Sequence, residues 1–163
     1  MTSSTGEGTS FKLLVPASTS PEAEEVTPTC LDTNAPLLGT VLLLDDDPGV
    51  RQSLSHMLKS LGLEVEATEE GSQALTLYEK MMNAGSAPDI VLMDLTIPGG
   101  LGGLEIIAPL LEMDPKAKAI VISGYSHNPV ISEFRNHGFK AAIAKPILVA
   151  ELGNILRKVL AES

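Results

Sequence analysis

Three short apolar runs constrain this chain most: VLLL at 41–44, IVLM at 90–93 and AIVI at 119–122. Each is too short to bury a helix, and none alternates with polar residues. Such runs read as strands buried on both faces, the pattern of a parallel sheet covered on each side. Amphipathic stretches lie between them. Residues 48–61 place Val50, Leu54, Met57, Leu58 and Leu61 at helical spacing. Pro48 suits the first helical turn and Gly62 the far end. Residues 70–84 repeat the pattern with Ala74, Leu75, Leu77, Tyr78 and Met81 or Met82, and 103–113 and 148–161 read as further helices. A short helix is expected over 129–137, ended by Gly138, with further strands over 63–67 and 140–144.

Five strands alternating with five helices between Thr40 and the C-terminus predict an α/β fold, a doubly wound five-stranded parallel sheet. Right-handed crossovers leave few topologies, chiefly a flavodoxin-like strand order of 2-1-3-4-5. In such sheets the functional crevice lies beyond the carboxyl ends of the strands.

The 163 residues suffice for one ordinary domain with some length left over. A hydrophobic content of 44% excludes disorder along the whole chain, and 3% aromatics with no Trp imply an aliphatic core. The net charge of -10 disfavours attraction to nucleic acid phosphates and to anionic membranes. Cys30 is alone, so no internal disulfide is expected, which fits a reducing compartment. No apolar run approaches the roughly 18 residues that span a bilayer, and the N-terminus lacks the basic-then-apolar pattern of a signal peptide. The expectation is a soluble, cytoplasmic chain without direct membrane contact.

Composition changes near Thr40. Residues 17–39 mix Ser, Thr, Pro, Glu and Ala without a period, and read as a flexible linker. Residues 1–39 hold one lysine and five acids, a net of −4, while the remaining ten basic and sixteen acidic residues leave −6.

The predicted strand ends carry the chemistry. Asp45, Asp46 and Asp47 follow the first strand, Asp94 the third, Ser123 the fourth, and Lys145-Pro146 the fifth. Carboxylates clustered at short range repel unless a hard cation such as Mg²⁺ compensates them. Asp94 could then attack phosphorus, since carboxylates form acyl phosphates, with the lysine and hydroxyl holding phosphoryl oxygens. Asp47, just before Pro48, reads as a helix N-cap.

The stretches VLLLDDDPGVR, DIVLMDLTIPGG, AIVISG and AAIAKP together resemble the receiver domain of two-component signalling over roughly residues 40–161. The resemblance implies phosphoryl transfer from a phosphohistidine onto Asp94. Asp45 and Asp46 would hold Mg²⁺ together with Asp94 and the main-chain carbonyl of Thr96. Ser123 would follow phosphorylation and Lys145 would pair with the phosphate, with a cis bond before Pro146. Two features depart from the common pattern. Ala142 stands where receivers often carry Tyr or Phe, three residues before the lysine, and the loop LTIPGGLGGLE is one residue longer than usual. The longer loop, with SGYSHNPV and GFKAAIAKP, looks like receivers at the C-terminus of hybrid sensor histidine kinases. GEGTSFKLLVP at 6–16 looks like the end of a histidine-kinase ATP-binding domain, a glycine turn feeding a last strand. Residues 1–16 are therefore expected to be a remnant of that domain, ahead of the linker at 17–39 and the receiver at 40–163. The implied partners are the phosphohistidine of a parent or cognate kinase and a histidine phosphotransfer protein.

Two alternatives use the same residues. A haloacid-dehalogenase-type phosphohydrolase would need Asp45 and Asp47 as its acid pair, but Gly49 stands where it usually has Thr or Val. A pseudo-receiver would keep the fold without the chemistry. His56, His127 and His137 show no metal-ligand spacing. GGLGG is not a nucleotide-binding loop, because no Gly-Lys-Ser/Thr follows it.

Overall fold

The computed structural model describes residues 2–4, 8–10, 35–124 and 132–162. The chain divides into two units, Met1–Leu31 and Asp32–Ser163. In the first, Thr2–Ser4 pairs antiparallel with Gly8–Ser10. The strand expected from FKLLV and most of the expected linker lie outside the described residues.

The second unit is built on five parallel strands: β1 (Thr40–Leu44), β2 (Glu64–Thr68), β3 (Ile90–Asp94), β4 (Ala119–Ser123) and β5 (Ala141–Ala144). Their spatial order is β2-β1-β3-β4-β5, as the sequence pattern predicts. Four α-helices accompany them among the described residues: α1 (Pro48–Ser60), α2 (Gly71–Asn83), α3 (Gly103–Met113) and α4 (Val149–Ala161).

The doubly apolar strands explain this layering. Leu42, Leu44, Val91, Met93, Ala119 and Val121 point to one face, where Ala74 and Tyr78 of α2 and Ile106, Ile107 and Leu110 of α3 bury them. Val41, Leu43, Ile90, Leu92, Ile120 and Ile122 point to the other, against Leu54 and Leu58 of α1 and Leu152, Leu156 and Val159 of α4. Successive strand residues alternate faces, so a continuous apolar run feeds two cores at once.

The fifth expected helix, over 129–137, is described only in part: residues 129–131 lie outside the described residues, Ser132 is helical, and Phe134–His137 forms a 3-10 turn where the sequence pattern predicts an α-helix. Hydrogen bonds from Asn136 N to Glu133 O and from Gly138 N to Arg135 O close it. Gly138 then takes φ 97°, open to glycine without strain, and turns Phe139 into the core. Phe134 and Ala142 pack at the fringe of the same core.

Two boundaries also shift. Leu63 is buried but donates its N–H to Leu58 O at the end of α1, so strand pairing starts at Glu64, whose N–H reaches Gly39 O. Within the last residues of the expected linker, 35–39, Leu37 is packed while Ala35, Pro36 and Leu38 stay exposed. Leu37 is buried beside Leu54 and Leu58, and its N–H donates to Leu61 O at 2.7 Å.

Candidate phosphoryl-acceptor site

Strand register assembles the site. Leu44 lies level with Met93, so Asp45 follows at the height of Asp94. Asp94 is level with Ile122 and Ser123 with Ala144, which brings Ser123 and Lys145 to the same sheet edge. The crevice predicted beyond the strand ends therefore holds Asp45, Asp94, Ser123 and Lys145 on neighbouring strands.

Asp45, Asp46 and Asp94 each offer a carboxylate oxygen, and these oxygens lie within 4.8 Å of one another. Asp45 is fully buried, Asp94 half-buried and Asp46 exposed. Lys145 Nζ donates to Asp94 Oδ2 at 2.7 Å and to Asp45 Oδ2 at 3.2 Å. Burial raises the Asp45 carboxyl above the ordinary carboxylate range, although Lys145 partly offsets the effect. Burial also works against the Lys145 ammonium, but its hydrogen bonds and attraction to Asp94 and Asp45 outweigh it and hold its pKa up. One ammonium faces three carboxylates. A hard divalent cation fits this donor set, since it accepts one or two carboxylates and keeps waters for the rest.

The loop between β1 and α1 is tied down on all sides. Asp47 caps α1 as expected, its Oδ1 accepting from Gly49 N at 2.7 Å and Val50 N at 2.9 Å. Those bonds lower its pKa. Its own N–H donates to Asp45 Oδ1, which fixes the buried carboxylate. Arg51 Nη1 donates to the carbonyls of Asp45 and Asp46 at 2.8 and 3.1 Å. Sequence reasoning passed over Arg51. Its signal was position: four residues after the cap Asp47, a helical side chain reaches back over the loop it follows.

Thr96 is exposed, two residues beyond Asp94. Leu95 N–H donates to Ile122 O, carrying the strand pairing one residue past Asp94. Gly102 approaches this segment closely: a Cβ there would meet Leu95 O at 2.6 Å and Thr96 Cα at 2.9 Å. Glu105 Oε2 accepts from Gly102 N–H and starts α3. Ser123 is buried, and its carbonyl accepts from Lys145 N at 2.8 Å. The Lys145–Pro146 bond is cis. His56 is exposed on α1 and stands outside the site.

A parallel sheet of this order, with an acid triad and a lysine at its carboxyl edge, is the arrangement that the receiver resemblance implies. The response regulator receiver domain profile matches residues 41–157, and the chain belongs to that family. Chemotaxis protein CheY of Thermotoga maritima is 34% identical over 121 residues, which is 73% of this chain and 95% of that protein. Sensor kinase CckA of Brucella abortus is 27% identical over 165 residues, covering 97% of this chain and 17% of the kinase. A chain in the crystal structure of the CheX–CheY–BeF3–Mg complex from Borrelia burgdorferi superposes with a TM-score of 0.67 at 25% identity, covering 76% of this chain and 90% of that one.

Proposed function

We propose that this chain is the phosphoacceptor receiver of a hybrid sensor histidine kinase, taking a phosphoryl group from phosphohistidine onto Asp94. The observation that carries this reading is Lys145 Nζ bridging Asp94 and the buried Asp45 beside a third carboxylate. An Asp94 oxygen attacks phosphorus as the P–N bond of the phosphohistidine breaks, its electron pair staying on the imidazole nitrogen. The product is an acyl phosphate, later hydrolysed when water attacks phosphorus and the Asp94 carboxylate leaves. Asp45, Asp46, Asp94 and the Thr96 carbonyl would hold Mg²⁺, which when bound neutralises charge on the phosphoryl oxygens. Lys145 pairs with a phosphoryl oxygen in place of Asp94, and the Ser123 hydroxyl donates to another.

The donor fits one face. A pocket of about 400 Å³ beside Lys145 is walled by Val50, Leu54, Met57, Pro146 and Ile147. Leu148 and Val149, 65% and 42% exposed, adjoin it. An amphipathic helix presenting its phosphohistidine, on the kinase or on a phosphotransfer protein, suits that apolar margin. The hybrid-kinase origin draws support from the CckA similarity, which runs through the segment ahead of the receiver. Such a domain works in the cytoplasm, in phosphorelay.

The phosphohydrolase alternative loses ground because Asp47 is engaged as the α1 cap and stands outside the carboxylate cluster. Intact mass after incubation with acetyl phosphate and Mg²⁺ tests the proposal. The gain of one phosphoryl group, lost in Asp94→Asn and kept in Asp47→Asn, is the expected result. Steady phosphatase turnover that survives loss of Asp94 would favour the alternative.

A further inference from the structure

Of the three clustered acids, Asp46 is the one whose carboxylate no other side chain holds. Lys145 binds the carboxylates of Asp45 and Asp94, and Asp47 N–H also fixes that of Asp45. The Asp46 carboxylate is exposed and accepts no hydrogen bond among the described residues. One of its oxygens nevertheless lies within 4.8 Å of oxygens on the other two acids. Its place in the cluster therefore depends on its own backbone.

That backbone has just left the sheet. Asp45 N–H donates to Thr68 O at 3.3 Å, which carries the β1–β2 pairing one residue past Leu44. The carbonyls of Asp45 and Asp46 lie beyond it, and no main-chain N–H donates to either among the described residues. Arg51 Nη1 donates to both, at 2.8 and 3.1 Å. Arg51 Nη2 reaches Glu69 Oε2 at 3.4 Å, directly after β2. The Arg51 side chain is 21% exposed and that of Glu69 63%, so the sheltered carbonyl bonds outweigh the exposed ion pair. A guanidinium offers its donors in one rigid plane, so a single side chain spans two loop carbonyls and the end of a neighbouring strand. Lys145 sits on the carboxylate oxygens themselves and competes for them with an incoming cation. Arg51 donates to none of the three carboxylates among the described residues, so it need not move.

We propose that Arg51 is a positioning residue for the divalent cation: its bonds to the Asp45 and Asp46 carbonyls hold the Asp46 carboxylate in the cluster. The inference rests on the metal-assisted reading above and adds to it a side chain that touches neither the cation nor the phosphoryl group. Because Arg51 acts through Asp46, the two residues are energetically coupled.

Mg²⁺ titration of the full chain, followed in its amide NMR spectrum, measures the affinity without any phosphoryl donor. Arg51→Gln should weaken Mg²⁺ binding about tenfold, as loss of a group supporting a metal ligand commonly does. Asp46→Ala should weaken it at least as much, and adding Arg51→Gln to Asp46→Ala should bring almost no further loss. Glu69→Gln should change the affinity by less than about twofold, since that contact is long and exposed. Arg51→Lys keeps the charge without the fork, and it guards against a Gln variant that fails to fold. Its affinity should fall between those of the parent chain and Arg51→Gln. Parental affinity in both Arg51 variants would overturn the inference, as would losses that add in full in the double variant. A parent chain that binds no Mg²⁺ would overturn the metal-assisted reading beneath it as well.

Discussion

Asp45 sits in conflict with its surroundings. It is fully buried, and burial raises its carboxyl pKa despite the Lys145 ammonium at 3.2 Å. A carboxyl whose folded pKa is raised favours the folded state at low pH, and that benefit is lost as pH rises through the folded value. Near neutral pH the ionised group therefore costs stability until a cation joins it. Asp45→Asn should accordingly raise the thermal midpoint in chelator. Mg²⁺ at a hundredfold excess over its Kd should stabilise the parent chain by about 2.7 kcal/mol, and Asp45→Asn should lose most of that gain. Calorimetry in chelator and in Mg²⁺ measures both. Tyr78 supplies a second residue-level test, away from the site. Its buried hydroxyl donates to Asp114 Oδ2 at 2.8 Å, and burial together with that carboxylate raises its pKa above the ordinary 10.0. The protonated form is the one the fold prefers, so this contribution is whole below pH 10 and drains away above it. Tyr78→Phe should cost roughly 1.5–3 kcal/mol near neutrality, the worth of a hydrogen bond to a charged group. The gap from the parent should narrow in urea titrations above pH 10.

At the scale of elements, what the sequence discloses depends on burial. The strands β1, β3 and β4 were legible because each run is apolar on both faces, and their registers then placed Asp45, Asp94 and Ser123 by counting alone. The edge strand β2 is largely exposed and alternates weakly, so its start was misjudged by one residue. Leu37 was hidden for another reason. It stands among Pro, Asn and Gly with no period to mark it, and only its place over Leu58 and Leu61 makes it part of the core. The 3-10 turn at Phe134–His137 obeys Gly138 more than the helical spacing before it. The apolar margin at the start of α4 carries a prediction of its own. Leu148→Glu should slow phosphoryl transfer from a phosphohistidine donor at least several-fold while leaving acetyl phosphate as donor unaffected, because only the protein donor needs that surface. Equal slowing with both donors would place Leu148 in the chemistry instead.

For the whole molecule, the -10 charge has three parts with different meanings. Four units belong to residues 1–39. In the second unit, three carboxylates converge at one end of the sheet, while five of ten cations gather at the other end towards β5. No helix among the described residues is long and apolar enough to cross a membrane. The central claim is that Asp94 accepts the phosphoryl group at the acidic edge. The amide NMR spectrum with beryllofluoride and Mg²⁺ tests it most directly, since that pair mimics the acyl phosphate without hydrolysing. Resonances of Gly99–Gly103 and Ser123 should shift in the parent chain and stay still in Asp94→Asn. An equal response in the Asn variant would contradict Asp94 as the acceptor.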